Sequence, residues 1–194
     1  GIDPAANIAA IAEKENNVPT LVEFFNSTLA EKLADAGKQA DVIHAHNVLA
    51  HVPDPNELMQ GFAELLKIEG EIVIEVPYVG DLIEKLGFDT IYHEHYSYFS
   101  LISLERLAQK NGLVIKNVEH LNIHAGSLRI YLGHKGTEQN SSVKEILTEE
   151  HSLGIGDASF YELFASKVKA FRGELRDLLY QLKAEGKSIA AYGA

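Results

Sequence analysis

Asp41-Val42-Ile43-His44-Ala45-His46, then Asn47-Val48-Leu49-Ala50-His51-Val52-Pro53-Asp54, and further on Glu71-Ile72-Val73-Ile74-Glu75-Val76, make up the stretch that decides the fold. Its first and last segments are short and rich in β-branched residues, which is how strands read. Between them Asp54 and Pro55 start a helix: the carboxylate can accept an otherwise unpaired N–H, and proline has φ preset and no N–H to lose. Leu58, Met59, Phe62, Leu65 and Leu66 follow at three- and four-residue spacing, which lines one apolar face. Two strands joined through a helix imply a right-handed crossover and a parallel pair, the unit of a doubly wound α/β sheet. Ligands of such sheets sit beyond the carboxyl ends of the strands.

Toward the N-terminus, Ala5 to Asn16 favours a helix and Leu21-Val22-Glu23-Phe24-Phe25 reads as a strand. Ser27 or Thr28 can cap a helix that runs through Leu29, Leu33 and Ala34 to Gly37. Toward the C-terminus, Ser103 to Asn111 predicts a helix closed by Gly112, followed by strands over Leu113 to Leu121 and Ser127 to Leu132 that could pair antiparallel. Residues 137–159 are polar, contain Gly154 and Gly156, and read as a loop or linker. From Phe160 to Ala184 the residues Leu163, Phe164, Val168, Phe171, Leu175, Leu178, Leu179 and Leu182 recur at three and four, predicting a long amphipathic helix with a packing face, ended by Gly186. Ser188 to Ala194 reads as a strand entering a glycine turn.

The 194 residues are 46% hydrophobic and 23% charged, enough to bury a core in one large domain or one domain plus part of another. A formal charge of -11 opposes binding to a nucleic acid polymer and favours a small-molecule partner. The absence of cysteine excludes disulfides and thiolate ligands within these residues. No apolar run long enough for a membrane span and no basic-then-apolar leader is present, so no membrane partner and a cytoplasmic location are expected. His44 with His46, and His93 with His95, have a spacing that shares one strand face, but neither pair has an evident third ligand, and no metal site is assigned.

Four segments taken together resemble the S-adenosylmethionine-dependent nucleotide-sugar C-methyltransferases, which methylate C3 of keto-deoxysugars. They are Gly1-Ile2-Asp3-Pro4, Asn47 to Asp54, Tyr92 to Ser100 with its Tyr-x-Glu-His pattern, and His124-Ala125-Gly126-Ser127-Leu128-Arg129. The resemblance covers roughly residues 1–136 in order and the remainder more loosely. It implies a Rossmann-like class I methyltransferase sheet, N-terminally truncated, followed by a long helix and the start of a second α/β domain. Residues 1–136 would be the partial methyltransferase domain, and 137–194 a linker, the long helix and the beginning of the C-terminal domain. Family members carry zinc in a cysteine-rich N-terminal domain and a cofactor glycine loop ahead of the position of Gly1; neither lies within these residues.

The implied cofactor is S-adenosylmethionine, with S-adenosylhomocysteine as product, and the implied substrate a nucleotide-linked keto-deoxysugar. Carbon is a poor nucleophile until a proton beside a ketone is removed, so the reaction needs a base, and imidazole, with a reference pKa of about 6.5, can serve near neutral pH. The resemblance assigns His95 as that base. Tyr92 and Glu94 would orient it or hold the sugar, and His51 would stabilise the enolate or supply a proton. Asp3 would accept the ribose hydroxyls of the cofactor, or else cap the following helix. Asn47 and Val48 would border the cofactor's amino-acid end, Tyr96 would stack on the substrate, and Arg129 would meet substrate phosphate or pair with an internal carboxylate. Methylation of oxygen or nitrogen in another small molecule, and a non-catalytic binding role, remain as alternatives.

Overall fold

The computed structural model describes residues 1–192. Its elements in chain order are α1 (Ala6–Asn16), α2 (Ser27–Asp35), β1 (Ala40–His46), α3 (Pro55–Leu65), β2 (Leu66–Pro77), α4 (Val79–Glu84), α5 (Leu101–Lys110), β3 (Leu113–Leu121), β4 (Ser127–His134), α6 (Ser141–Leu153) and α7 (Ala158–Ala184). Short 3-10 turns occupy Leu49–His51 and Phe88–Thr90.

The deciding stretch folds as its sequence predicts, except that Leu66, expected on the helix, opens the second strand five residues before Glu71. Asp54 Oδ1 accepts the N–H groups of Asn56 and Glu57 at 2.9 and 3.1 Å, Pro55 takes the first helical position, and β1 and β2 run parallel on either side of α3. The sheet as a whole is mixed, in the order β1-β2-β4-β3, because β4 runs antiparallel to both β2 and β3. The connection from β2 to β3 through α5 therefore skips one strand position, which the β3–β4 hairpin then fills. Leu128, Ile130 and Leu132 of β4 and Ile72 and Ile74 of β2 are fully buried, packed in one core with Leu58, Met59 and Phe62 of α3 and Leu101 and Leu104 of α5.

Several expectations are corrected. Leu21 to Phe25 is not a strand: Leu21 makes a single parallel bridge with Ile2, and Phe24 is 76% exposed. A strand is held by a ladder, and this segment finds only one rung. The cap of α2 is Asn26, whose side chain accepts the N–H of Leu29, rather than Ser27 or Thr28. Residues 141–153, expected to lie in a linker, are helical, with Val143, Ile146, Leu147 and Glu150 turned to the core at three- and four-residue spacing. The pattern escapes notice because its last core position holds a carboxylate. Glu150 is fully buried, and its two oxygens accept the first two N–H groups of α5, from Leu101 at 2.6 Å and Ile102 at 2.8 Å. An anion suits a helix N-terminus, whose unpaired N–H groups carry partial positive charge. Burial nevertheless raises the Glu150 pKa, and the two N–H donors counter that only in part.

The long helix forms as predicted, yet its packing face is only partly covered among the described residues. Phe160 and Phe164 lean on the core, but no residue of α7 is buried, and Leu163, Leu175 and Leu178 are about half exposed. Ser188 to Tyr192 forms no strand, and Gly193 and Ala194, the rest of that expectation, lie outside the described residues. No helix among the described residues is long and apolar enough to cross a membrane.

Candidate active site

The carboxyl ends of β1 and β2 open into a cleft of about 430 Å³, lined by Asn47, His51, Tyr78, Thr90, Tyr92, His95 and His124 among others. Asn47 lies just past β1 in the left-handed region, φ 54°, with its N–H on the carbonyl of Glu75. Asparagine tolerates that conformation better than most residues. The chain then turns through Leu49–His51 and presents His51.

The second wall comes from the segment after α4. Tyr92 to His95 form a turn closed by the His95 N–H on the Tyr92 carbonyl at 3.1 Å, so the adjacent Glu94 and His95 need not share the opposed geometry of a strand. The two walls are stitched together twice. The N–H of Tyr96 donates to the Ala50 carbonyl at 2.9 Å, and Nδ1 of His51 lies 3.0 Å from the Glu94 carbonyl.

The consequence for protonation is direct. A carbonyl oxygen only accepts, so a ring nitrogen bonded to it must carry the proton. His95 Nδ1 sits 2.9 Å from the Thr90 carbonyl, and His51 Nδ1 is held in the same way by Glu94. In the neutral rings both Nε2 atoms therefore keep their lone pairs. The ring centres are 4.7 Å apart, and the Tyr92 hydroxyl stands 3.5 Å from His95 Nε2, long for a hydrogen bond. Thr90 is itself fixed, its hydroxyl donating to Gly87 at 2.8 Å.

Of the residues singled out from sequence, His95, His51, Tyr92 and Asn47 meet in the cleft; Glu94, Asp3, Val48, Tyr96 and Arg129 do not line it. The Glu94 side chain is 62% exposed and lies 3.9 Å from His93; its backbone, not its carboxylate, reaches the site. Asp3 Oδ1 accepts the Ala5 N–H at 2.8 Å, steadying the start of α1, while no hydrogen bond to Oδ2 is found among the described residues. Tyr96 is 63% exposed, and Val48 stands partly in solvent. Arg129 faces Glu75 in the β2–β4 register and donates to it from Nε at 3.1 Å and Nη2 at 2.9 Å, with Glu119 at 3.5 Å from Nη1. The bonds to Glu75, and after them the neighbouring Tyr131, hold its pKa above the ordinary value, and its fork stays engaged within the sheet.

Sequence reasoning missed Thr90, Tyr78 and His124. The first acts through a backbone carbonyl that any residue would supply, so no residue pattern reveals it. Tyr78 lies between the cleft and buried Glu150, and burial, with that carboxylate beside it, drives its pKa well above the ordinary value. His124 stood within a quoted motif but had no role assigned. Among the described residues no group of three or more histidine, aspartate or glutamate side chains is arranged to hold a metal ion.

Comparison with known proteins places this geometry. The methyltransferase-domain family matches residues 1–118, and a C-methyltransferase C-terminal domain family matches residues 122–194. The second match includes β4, which nevertheless lies between β2 and β3 in the sheet. The chain is 36% identical over 196 residues to C-methyltransferase NovU of Streptomyces niveus, across all of this chain and 46% of that protein, so it spans about half the relative's length. Among solved structures it is similar to a SAM-dependent methyltransferase of Anabaena variabilis, with TM-score 0.52 and 17% identity over 70% of this chain and 67% of that one. It is also similar to magnesium protoporphyrin IX methyltransferase of Synechocystis with bound SAH, with TM-score 0.50 and 13% identity over 70% of this chain and 63% of that one. At such identities these likenesses speak for the fold, the Rossmann-like α/β fold of S-adenosylmethionine-dependent methyltransferases. The chain belongs to the methyltransferase-domain family.

Proposed function

We propose that the full protein moves a methyl group from S-adenosylmethionine to a carbon beside a ketone, at C3 of a nucleotide-linked keto-deoxysugar. The observation that carries this reading is the pair of imidazoles, His95 and His51, each with Nδ1 tied to a carbonyl and Nε2 left as the reactive nitrogen. Such a pair suits removal of a carbon-bound proton and stabilisation of the charge that results. The likeness to a C-methyltransferase over the whole chain supports carbon as the acceptor, and the four quoted segments support the nucleotide sugar.

In this mechanism His95 Nε2 takes the proton from the carbon, while the Thr90 carbonyl holds the ring and accepts from Nδ1 throughout. The imidazolium that forms keeps both N–H groups bonded or facing the cleft. His51, when protonated, turns an Nε2–H toward the enolate oxygen, and the Tyr92 hydroxyl steadies the same region. Pro77, Tyr78 and Leu82 give the cleft an apolar wall, beside which each of these interactions is stronger than in open water.

S-adenosylmethionine, when bound, supplies the electrophilic sulfonium methyl. The residues present fit it: Asp3 keeps Oδ2 available for ribose hydroxyls, and Asn47 and Val48 follow the strand whose carboxyl end borders the cleft.

Replacing His95 with alanine in the full-length protein should lower methyl transfer by about 10²- to 10⁴-fold, the usual worth of a general base. S-adenosylhomocysteine affinity should stay within about three-fold of wild type, since His95 acts on the substrate. Activity retained within a few-fold would remove His95 from the base role.

A further inference from the structure

We propose that His124 is a further substrate-contacting residue of this cleft, presented by the β3–β4 turn and positioned by Asp81 and Lys85. The inference rests on the proposed function for the identity of the substrate, but its physical grounds are separate.

The turn is held in a costly conformation. His124, Ala125 and Gly126 have φ values of 50°, 65° and 131°, three consecutive positive angles of which two belong to residues with a Cβ. Strain of this kind persists only where the surroundings impose it. Here they do. The Gly126 N–H donates to Ile123 at 2.8 Å, and the Gly126 carbonyl accepts the Tyr78 N–H at 3.0 Å, tying the turn to the end of β2. Lys85 Nζ donates to the Ala125 carbonyl at 2.9 Å and to Asp81 Oδ2 at 3.2 Å.

Asp81 is 4% exposed, and its Oδ2 also lies 2.7 Å from His120 Nε2. Its carboxylate is packed so closely beneath the turn that a Cβ on Gly126 would stand 1.6 Å from Oδ2. Buried charge, lysine and glycine together fix the backbone on which His124 rides.

What the turn presents is an unoccupied donor. The His51 and His95 rings are bonded to carbonyls, whereas His124, an exposed residue of the lining of the same cleft, has no side-chain hydrogen bond to the protein among the described residues. An imidazole left free at the wall of a substrate cleft can donate to a hydroxyl, carbonyl or phosphate oxygen of the sugar nucleotide. Asp81 and Lys85 do not line the cleft, and act only through the turn.

The test is steady-state kinetics on the full-length protein with a nucleoside-diphosphate 4-keto-deoxysugar. His124→Gly is the main variant, because glycine adopts positive φ without steric cost while removing the donor. It should raise KM for the sugar nucleotide at least ten-fold, leave KM for S-adenosylmethionine within two-fold and leave the melting temperature unchanged. His124→Ala checks the same outcome with a Cβ retained, as the neighbouring Ala125 carries one at φ 65°. Asp81→Asn should raise the sugar KM in the same direction by less, again without moving the cofactor KM; a purely structural Asp81 would lower stability with no such split.

An unchanged sugar KM in both His124 variants, alongside an inactive His95→Ala enzyme, overturns this inference and leaves the proposed function standing. If the protein instead methylates an oxygen or nitrogen acceptor and His124→Gly raises that acceptor's KM, the contact stands and the carbon reading fails.

Discussion

Helix α6 has only three apolar core positions, Val143, Ile146 and Leu147, yet its Val143 and Glu150 are 1% and 0% exposed; α7 repeats leucine and phenylalanine at three and four across 27 residues and buries none of them. The two helices stand next to each other in the chain and invert the usual relation between pattern and burial. An amphipathic repeat reports that a helix has an apolar stripe, not that anything covers it. A carboxylate, conversely, belongs in a core when two N–H groups of a neighbouring helix have no other partner.

Glu150→Ala is the sharpest way to break that comparison. It strands the N–H groups of Leu101 and Ile102 and should destabilise the fold by about 3 kcal/mol, measured by urea unfolding. A loss of less than about 1 kcal/mol would mean that water replaces the carboxylate and that α6 is not the cap of α5.

Glu150→Gln sharpens it through pH. Burial raises the Glu150 pKa above its ordinary 4.5, so the folded state holds the proton more tightly than the unfolded one. Below pH 4.5 this contribution to stability is fully present, and it is lost as pH rises through the folded pKa. The glutamine variant has no such titration, so stability relative to wild type should shift in its favour as pH rises above 4.5. A shift in favour of wild type would show that the two N–H donors outweigh burial.

The smallest effect is expected on α7. Leu178, 50% exposed, should cost under about 0.5 kcal/mol on replacement by alanine. A loss of 2 kcal/mol or more would show that the stripe is covered in solution.

The same contrast explains what was legible in the sequence. The strand, helix and strand over residues 40–77 could be read because cap, period and strand composition agree locally. Leu21 to Phe25 could not, since strand formation depends on a distant neighbour. The wall of the cleft was legible by motif: Asn47, His51, Tyr92 and His95 converge on it from positions up to 48 residues apart. Their orientation was not, because Thr90 and Glu94 act through carbonyls that carry no residue signature. Arg129 was ambiguous until the strand register set Glu75 opposite it.

Hydrogen exchange at the substrate carbon tests the central claim most directly. The full-length protein, in deuterated water with S-adenosylhomocysteine but no methyl donor, is incubated with the keto-sugar nucleotide and C3 deuterium is followed by NMR. The account predicts catalysed incorporation in wild type and none above background in His95→Ala. Equal incorporation by both proteins, or methyl transfer to carbon by wild type without any exchange, would contradict it.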